Sequence, residues 1–96
     1  MLQVRTTAVF DDWLDGLRDS NARARVLTRI KRLGAGNPGD VRPVGSGVSE
    51  MRIDYGPGYR VYFVKRGLEV VILLAGGDKS TQHRDIRIAL RLVHLA

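Results

Sequence analysis

The chain has 96 residues and a mass of 10.7 kDa, enough for one domain, and its lack of cysteine excludes a disulfide scaffold, a thiolate nucleophile and a cysteine-based zinc site. Its longest apolar run (residues 70–75) is too short to cross a bilayer, and no secretory signal pattern opens the chain, so we expect a cytoplasmic protein without a membrane contact. Sixteen Lys and Arg against ten Asp and Glu give a net charge of +6, which favours polyanionic partners, and the planar fork of arginine suits phosphate.

A short strand and two helices are predicted at the start of the chain. Residues 2–6 mix apolar and β-branched types, which favours a strand. Thr7 suits the N-cap of a first helix, whose apolar stripe comprises Phe10, Trp13, Leu14 and Leu17. Ser20 is expected to cap a second helix and Gly34 to end it in a left-handed conformation. The short link between them predicts an antiparallel helical hairpin.

Three strands and a last helix are predicted after the glycine-rich segment 34–40. The strands cover about residues 48–55, 59–65 and 69–75, and their hairpin-length links predict an antiparallel meander. The last strand is apolar on both faces and should be central. Ser80 or Thr81 should cap a helix that runs to about His94. The prediction is one α+β domain over residues 1–96, in the order β-α-α-β-β-β-α, with the helical hairpin on a small, twisted, mainly antiparallel sheet.

The last helix carries apolar residues on two sides. One stripe comprises Ile86, Ala89, Leu90 and Val93, and the other comprises Ile88, Leu92 and Leu95. A helix of this kind is either deeply buried or docks another chain, so we expect a protein partner or a self-dimer.

Two arginines on neighbouring predicted strands form the first candidate site. Strand alternation lets Arg52 and Arg60 project from the same side of the sheet, where two guanidinium groups would clamp a phosphate. In the alternative interpretation they are cross-strand partners of Glu50 and Asp54 on a solvated face.

The segment Gly76-Gly77-Asp78-Lys79-Ser80-Thr81-Gln82 forms the second candidate. Glycines at a strand end allow close backbone approach, and the following helix N-terminus attracts anions, with Lys79 adding a charge and Gln82 an amide. A glycine turn followed by a serine cap explains the glycines equally well, but it leaves Lys79 and Gln82 unexplained.

The remaining candidates are single side chains. His83 is a candidate because imidazole is a common acid–base group near neutral pH, although a histidine in a first helical turn is often simply exposed. Tyr62 is a better candidate than Tyr59 for stacking on a base. The basic face of the second helix, with Arg29 and Arg32, would hold nucleic acid or an acidic partner, or be only a solvated face. The two histidines and scattered carboxylates predict no metal site, and we expect no cofactor.

Most of the chain resembles a known family. The matching stretches begin with Phe10, Trp13-Leu14 and residues 24–33, and continue with GNPGDVRPVGSGVSEMRIDYGPGYRVYF (36–63) and LLAGGDKSTQHRDIRIA (73–89). This ordered set resembles the RelE/ParE toxin superfamily, most closely its HigB-like branch of addiction-module killer proteins. The resemblance implies a RelE-like fold and the role of toxin in a type II toxin–antitoxin module. RelE-like and HigB-like members inhibit growth by cutting mRNA, usually on the ribosome, whereas ParE-like members poison DNA gyrase.

The resemblance to the mRNA-cutting members implies a metal-independent endoribonuclease, or mRNA interferase. Arg52 and Arg60 match the family's Glu-Leu-Arg and Tyr-Arg-Val motifs, with Met51 in place of Leu, and would act with Lys79 and His83 in catalysis. The expected RNA-binding residues are Tyr62, Gln82, Arg29 and Arg32. The expected partners are mRNA, the ribosome and a cognate antitoxin of the helix-turn-helix type, which would form a hetero-oligomer with the toxin.

Two alternatives remain open from the sequence. A ParE-like toxin would use the helical hairpin and the C-terminal segment to dock on gyrase, without a phosphate site. A degenerate toxin would retain only co-repression with its antitoxin.

Overall fold

One five-stranded sheet organises the chain, and helices cover both of its faces. The computed structural model describes residues 1–96. The elements in chain order are β1 Gln3–Thr6, α1 Ala8–Asp15, α2 Ser20–Gly34, β2 Val41–Gly45, β3 Val48–Ile53, β4 Tyr59–Arg66, β5 Val70–Asp78, a 3₁₀ turn Lys79–Thr81 and α3 Gln82–Leu92. None of the helices has the length and apolar character needed to cross a membrane.

The strand order in the sheet is β1-β5-β4-β3-β2. The pairs β2–β3, β3–β4 and β4–β5 are antiparallel, whereas β1 pairs parallel with β5. This confirms the predicted α+β class, the two hairpins and the internal position of β5. The sequence analysis missed β2, because Pro43 and Gly45 in a five-residue segment suggest a turn. Proline is tolerated here since β2 lies at the sheet edge.

Two hydrophobic clusters lie on opposite faces of the sheet. The first packs under α1 and α2 and includes Phe10, Val26 and Leu33 with Met51 and Val61. The second packs under α3. It combines Val48, Tyr62, Val64, Leu74, Ala75, Ala89 and Val93. Because strand side chains alternate between the faces, β3, β4 and β5 each contribute to both clusters.

The helix ends differ in part from the predictions. Thr7 does cap α1, since its hydroxyl accepts a hydrogen bond from the Phe10 N–H at 3.1 Å. Asp19, not Ser20, caps α2, because its carboxylate accepts from the N–H groups of the second and third helical residues at 2.9 and 3.2 Å. Gly34 lies inside the last turn, and Gly36 is the residue with positive φ (93°).

The last helix lies flat on the sheet. Residues from both of its predicted apolar stripes are half-buried and pack against the second cluster: Ile86, Ile88, Leu90 and Leu92. The expected second stripe is therefore covered in part by the chain itself, and only Leu95 is largely exposed. The protein partner stays a prediction.

Candidate functional site

A cleft at one end of the sheet brings together three of the predicted site residues. Arg52, Arg60 and Lys79 line it, and the other lining residues are Asp40, Asp54, Gly56, Pro57 and Gly58. It has a volume of about 470 Å³ and no lining residue with an aromatic or long aliphatic side chain. We call this cavity the basic cleft. Its composition suits a small, charged, strongly hydrated group such as a phosphate.

The strand register positions the two arginines. Arg52 on β3 is directly opposite Arg60 on β4, so both project from the α3 face of the sheet. Lys79 follows β5, which is the next strand over, and reaches the cleft from the 3₁₀ turn. The predicted projection of the two arginines from one side of the sheet is therefore confirmed.

Each guanidinium group is partly held by the chain and partly available. Arg52 donates from Nη2 to Asp40 Oδ1 at 2.9 Å, and 39% of its side chain is exposed. Arg60 is only 13% exposed, and its Nη1 makes two long contacts of 3.4 Å to backbone carbonyls. The Nε atoms of both are buried without a hydrogen-bond partner. A donor that is buried does not reach a ligand in the open cleft, so an oxyanion there would bind the accessible parts of the two guanidinium groups.

Glu50 is central to the site, although the sequence analysis named it only as a solvated partner of the two arginines. It is completely buried beneath the basic cleft and receives donors from three elements. Tyr62 Oη and Gln82 Nε2 each donate to Oε2 at 2.9 Å, and Arg42 Nε donates to Oε1 at 3.0 Å. Arg60 Nε lies 3.8 Å from the same Oε1. The carboxylate therefore joins β2, β4 and α3 and faces the arginine of the cleft.

This network shifts two pKa values in opposite directions. Burial by itself raises the pKa of Glu50, but the hydrogen bonds from Gln82, Arg42 and Tyr62 outweigh it and hold the pKa below the usual 4.5. Burial, together with the hydrogen bond to ionised Glu50, raises the pKa of Tyr62 far above its ordinary value. Glu50 is thus a charged acceptor and Tyr62 a neutral donor at neutral pH.

The solvated-face alternative for the two arginines is confirmed only in part, because Arg60 does lie against Glu50 across the two strands, but Glu50 is not on a solvated face. The face that carries them also carries Val48 and Val64 and is covered by α3, so Glu50 is buried rather than solvated. Arg52 pairs with Asp40, not with Asp54. The apolar residues on both faces of the last predicted strand were the sequence signal for a second covered face.

Of the predicted anion site at residues 76–82, Lys79 lines the basic cleft, but the role given to the two glycines is wrong. Both glycines lie within β5, and a Cβ at position 76 would overlap the Trp13 ring, while one at position 77 would overlap the Asp85 carboxylate. The N–H of Ser80 is taken by the Asp78 carboxylate at 2.8 Å. The glycines therefore admit a neighbouring side chain on each face of the sheet. Asp78 caps the 3₁₀ turn, and Thr81 occupies the predicted N-cap position of α3 but makes no side-chain cap hydrogen bond.

The structure places the other predicted residues apart from the cleft. Tyr62 is completely buried, so its assignment as a base-stacking residue is wrong, because the ring would have to leave the core to meet a base. Gln82 is held by Glu50, and His83 is exposed on α3 but does not line the cleft. Arg29 and Arg32 line a neighbouring groove along α2. Tyr59 is half-buried and packs against the first cluster, with its ring centroid 6.3 Å from that of Trp13.

The arrangement can hold a phosphodiester and stabilise extra negative charge on phosphorus. Arginine donors in fixed positions act on such charge without reorganising during the reaction. No three His, Asp or Glu side chains lie close enough together to hold a metal ion. The cleft therefore offers three cations beside the carboxylates of Asp40 and Asp54, and Lys79 is the cation that can give a proton.

Two comparisons with known proteins extend over nearly the whole chain. A family model described as "Phage derived protein Gp49-like (DUF891)" matches residues 12–94. A relative from Haemophilus influenzae is 51% identical over 88 residues, which cover 92% of this chain and 89% of the relative, and it is described as an uncharacterized protein. All residues of the basic cleft fall inside the range matched by the family model.

Proposed function

The chain belongs to the Gp49-like family of phage-derived proteins, a toxin-like family related to RelE and HigB, and from this premise we propose that it is the toxin of a type II toxin–antitoxin module. It belongs to the HigB-like branch and acts in the cytoplasm as a metal-independent endoribonuclease on translated mRNA. Its partners are the ribosome and a helix-turn-helix antitoxin, with which it forms an inactive hetero-oligomer.

One observation carries the proposal, namely the meeting of Arg52, Arg60 and Lys79 around one cleft that has no hydrophobic lining residue. In RNA cleavage of this kind, the 2′-hydroxyl gives its proton to water as the 2′-oxygen forms a bond to the adjacent phosphorus, and the bond from phosphorus to the 5′-oxygen breaks. The products are a 2′,3′-cyclic phosphate and a free 5′-hydroxyl. Negative charge grows on the non-bridging oxygens, where the arginines bind.

The side chains of the cleft divide these tasks. Arg60 and Arg52 bind the non-bridging oxygens and stabilise the transition state. Lys79, exposed at the edge of the cleft, gives a proton to the leaving 5′-oxygen. His83 is the second candidate for proton transfer, and Gln82 positions the site through Glu50.

The test is induction of the protein in growing cells, with mapping of new mRNA 5′ ends and of gyrase-linked DNA breaks. We expect cuts within translated frames, and we expect Arg60→Ala to lower cleavage by about 100-fold or more, since it removes a preorganised charge. The matched control is Arg91→Ala, which removes an exposed arginine from α3. Circular dichroism verifies that both variants fold.

Two results would contradict the proposal. A folded Arg60→Ala variant with full toxicity would show that Arg60 has no role in the mechanism. Intact mRNA with accumulated DNA breaks would assign the protein to the gyrase-poisoning branch, and the basic cleft would then have no catalytic role.

A further inference from the structure

A second groove lies between α2 and the end of β3. It has a volume of about 670 Å³, within the range of roughly 300–1,000 Å³ that is common for ligand sites. Arg25, Arg29 and Arg32 line it from one face of α2, since they are four and then three residues apart. Ile53, Asp54 and Tyr55 line it from the end of β3 and the residues that follow. We call this cavity the α2 groove.

Two of the three arginines are available to a ligand. Arg29 is used within the chain, because it donates to the carbonyl oxygens of Arg52 at 2.6 Å and Pro38 at 3.0 Å. Arg25 and Arg32 are exposed, and their guanidinium groups donate no hydrogen bond within the chain. Three cations against the single carboxylate of Asp54 make the groove basic, so a polyanion is its natural ligand.

Tyr55 gives the groove a flat aromatic surface. The Arg25 guanidinium lies over its ring, 4.5 Å from the centroid, and its hydroxyl donates to Asp19 Oδ2 at 3.3 Å. The ring is therefore held at its edge and covered by a planar cation. A nucleobase is a planar group that stacks on the same kind of surface.

The α2 groove adjoins the basic cleft. Asp54 lines both cavities, and the Arg29 side chain binds the backbone of Arg52, whose own side chain lies in the cleft. The two cavities therefore meet at Asp54, so a strand held in the cleft reaches the groove by passing this residue. The Asp54 carboxylate repels phosphates at the junction, so phosphates are held on either side of it.

From this geometry we propose that the α2 groove binds a nucleotide of single-stranded RNA next to the phosphate in the basic cleft. The base takes the place of the Arg25 guanidinium on the Tyr55 ring, and the phosphates on this side bind Arg32 and the displaced Arg25. The inference rests on the proposed nuclease function and adds a subsite to it. Stacking on an aromatic side chain needs an unpaired base, so the ligand is a single strand rather than a duplex. An acidic peptide would satisfy the arginines but would leave the Tyr55 ring without a planar partner.

The first test measures how much the charges of Arg25 and Arg32 contribute to the binding of RNA. A fluorescein-labelled hexanucleotide of 2′-O-methyl RNA has no nucleophilic 2′-hydroxyl, and its binding to the full chain is followed by fluorescence anisotropy at several salt concentrations. The double variant Arg25→Ala/Arg32→Ala should bind more weakly and flatten the slope of log K against log salt by about 1.4, the value for two lost phosphate contacts on a single strand. The control double variant Arg87→Ala/Arg91→Ala removes two exposed charges from α3, across the sheet.

The second test measures stacking. Tyr55→Phe keeps the ring and should bind like the wild type, whereas Tyr55→Leu should bind roughly 5- to 100-fold more weakly, because base–aromatic stacking is lost. Tyr55 also packs against the first cluster, so circular dichroism must show that Tyr55→Leu is folded. If it is not, the charge test decides alone, since both of its arginines are exposed.

The outcomes separate this subsite from the nuclease proposal. Groove variants that behave like the α3 control, in a protein that cuts RNA with Arg60, would overturn the subsite and leave the nuclease. Groove-dependent binding of the hexanucleotide without any RNA cleavage would support the subsite and refute the nuclease. Stronger binding of a poly-glutamate peptide than of the hexanucleotide would overturn the subsite by assigning the groove to an acidic protein.

Discussion

At the residue scale, Glu50 connects the stability of the domain to its site. An ionised carboxylate without partners is costly inside a protein, but this one accepts hydrogen bonds from Arg42, Tyr62 and Gln82. Its charge also faces Arg60 at 3.8 Å, which fixes the direction of that guanidinium in the cleft. Glu50 is thus a positioning residue, because it is completely buried and cannot meet a substrate.

We predict that Glu50→Gln destabilises the domain by about 2 kcal/mol at pH 7, since the charged acceptor is lost and an amide group faces the Arg42 donor. The pKa of Glu50 is lower in the folded than in the unfolded chain, so its stabilisation is present above the unfolded pKa and is lost as the pH falls through the folded pKa. The stability difference between the two proteins should therefore shrink below pH 4.5. Urea unfolding at pH 7 and in this acidic range measures it.

The matched control is Asp54→Asn, which makes the same chemical change at an exposed position without an ion pair. It should change stability by less than about 0.5 kcal/mol at either pH. Equal stability of Glu50→Gln and the wild type at pH 7 would show that the carboxylate network contributes nothing.

At the element scale, the end of β5 depends on two neighbouring glycines for different reasons. Gly76 admits the Trp13 ring on one face, and Gly77 admits the Asp85 carboxylate on the other. We predict that Gly76→Ala and Gly77→Ala each cost about 1–3 kcal/mol or more, because a Cβ forces the neighbour away. Only Gly76→Ala should shift the fluorescence of Trp13, the one tryptophan of the chain. Unchanged thermal stability in both variants would instead indicate that the two glycines leave space for a ligand.

Some elements were predictable from the sequence because their signals are local. The stripe through Phe10 and Trp13 predicts α1, and the Gly-Pro-Gly link at residues 56–58 predicts the hairpin of β3 and β4. The pairing of Arg52 with Arg60 followed from alternation and that hairpin. β2 was not predictable in this way, because Pro43 is acceptable only at an edge, and the edge is a property of the whole sheet.

The remaining parts of the site depend on what covers each face of the sheet. Alternation groups Glu50 with Arg52, but it cannot distinguish a solvated face from one that α3 covers. The same covering by α3 buries Tyr62 and removes it from the candidates for base stacking. The roles of Gly76 and Gly77 depend on Trp13 and Asp85, which are distant in sequence.

At the scale of the whole molecule, one sheet supports both hydrophobic clusters and both cavities. Val61 and Phe63 of β4 enter the first cluster, whereas Tyr62 and Val64 enter the second. Arg60 lies on the same strand, so the position of this cleft residue depends on the packing of both clusters. A chain of this size buries only roughly 60–65% of its unfolded surface and has little stability to lose. The two sides of the sheet should therefore unfold together.

We predict one cooperative transition, which Leu74→Ala tests from the opposite side of the sheet. Leu74 lies in the second cluster, whereas Trp13 packs against the first. Removing the buried Leu side chain should cost about 2–5 kcal/mol, and each kcal/mol should lower Tm by about 4–8 °C. If β3, β4 and β5 couple the clusters, Trp13 fluorescence and far-UV circular dichroism will fall to the same lower midpoint. If the unfolding midpoint measured by Trp13 fluorescence stays at the wild-type temperature, the α1–α2 side folds independently. Substitutions under α3 would then perturb the basic cleft but not the α2 groove.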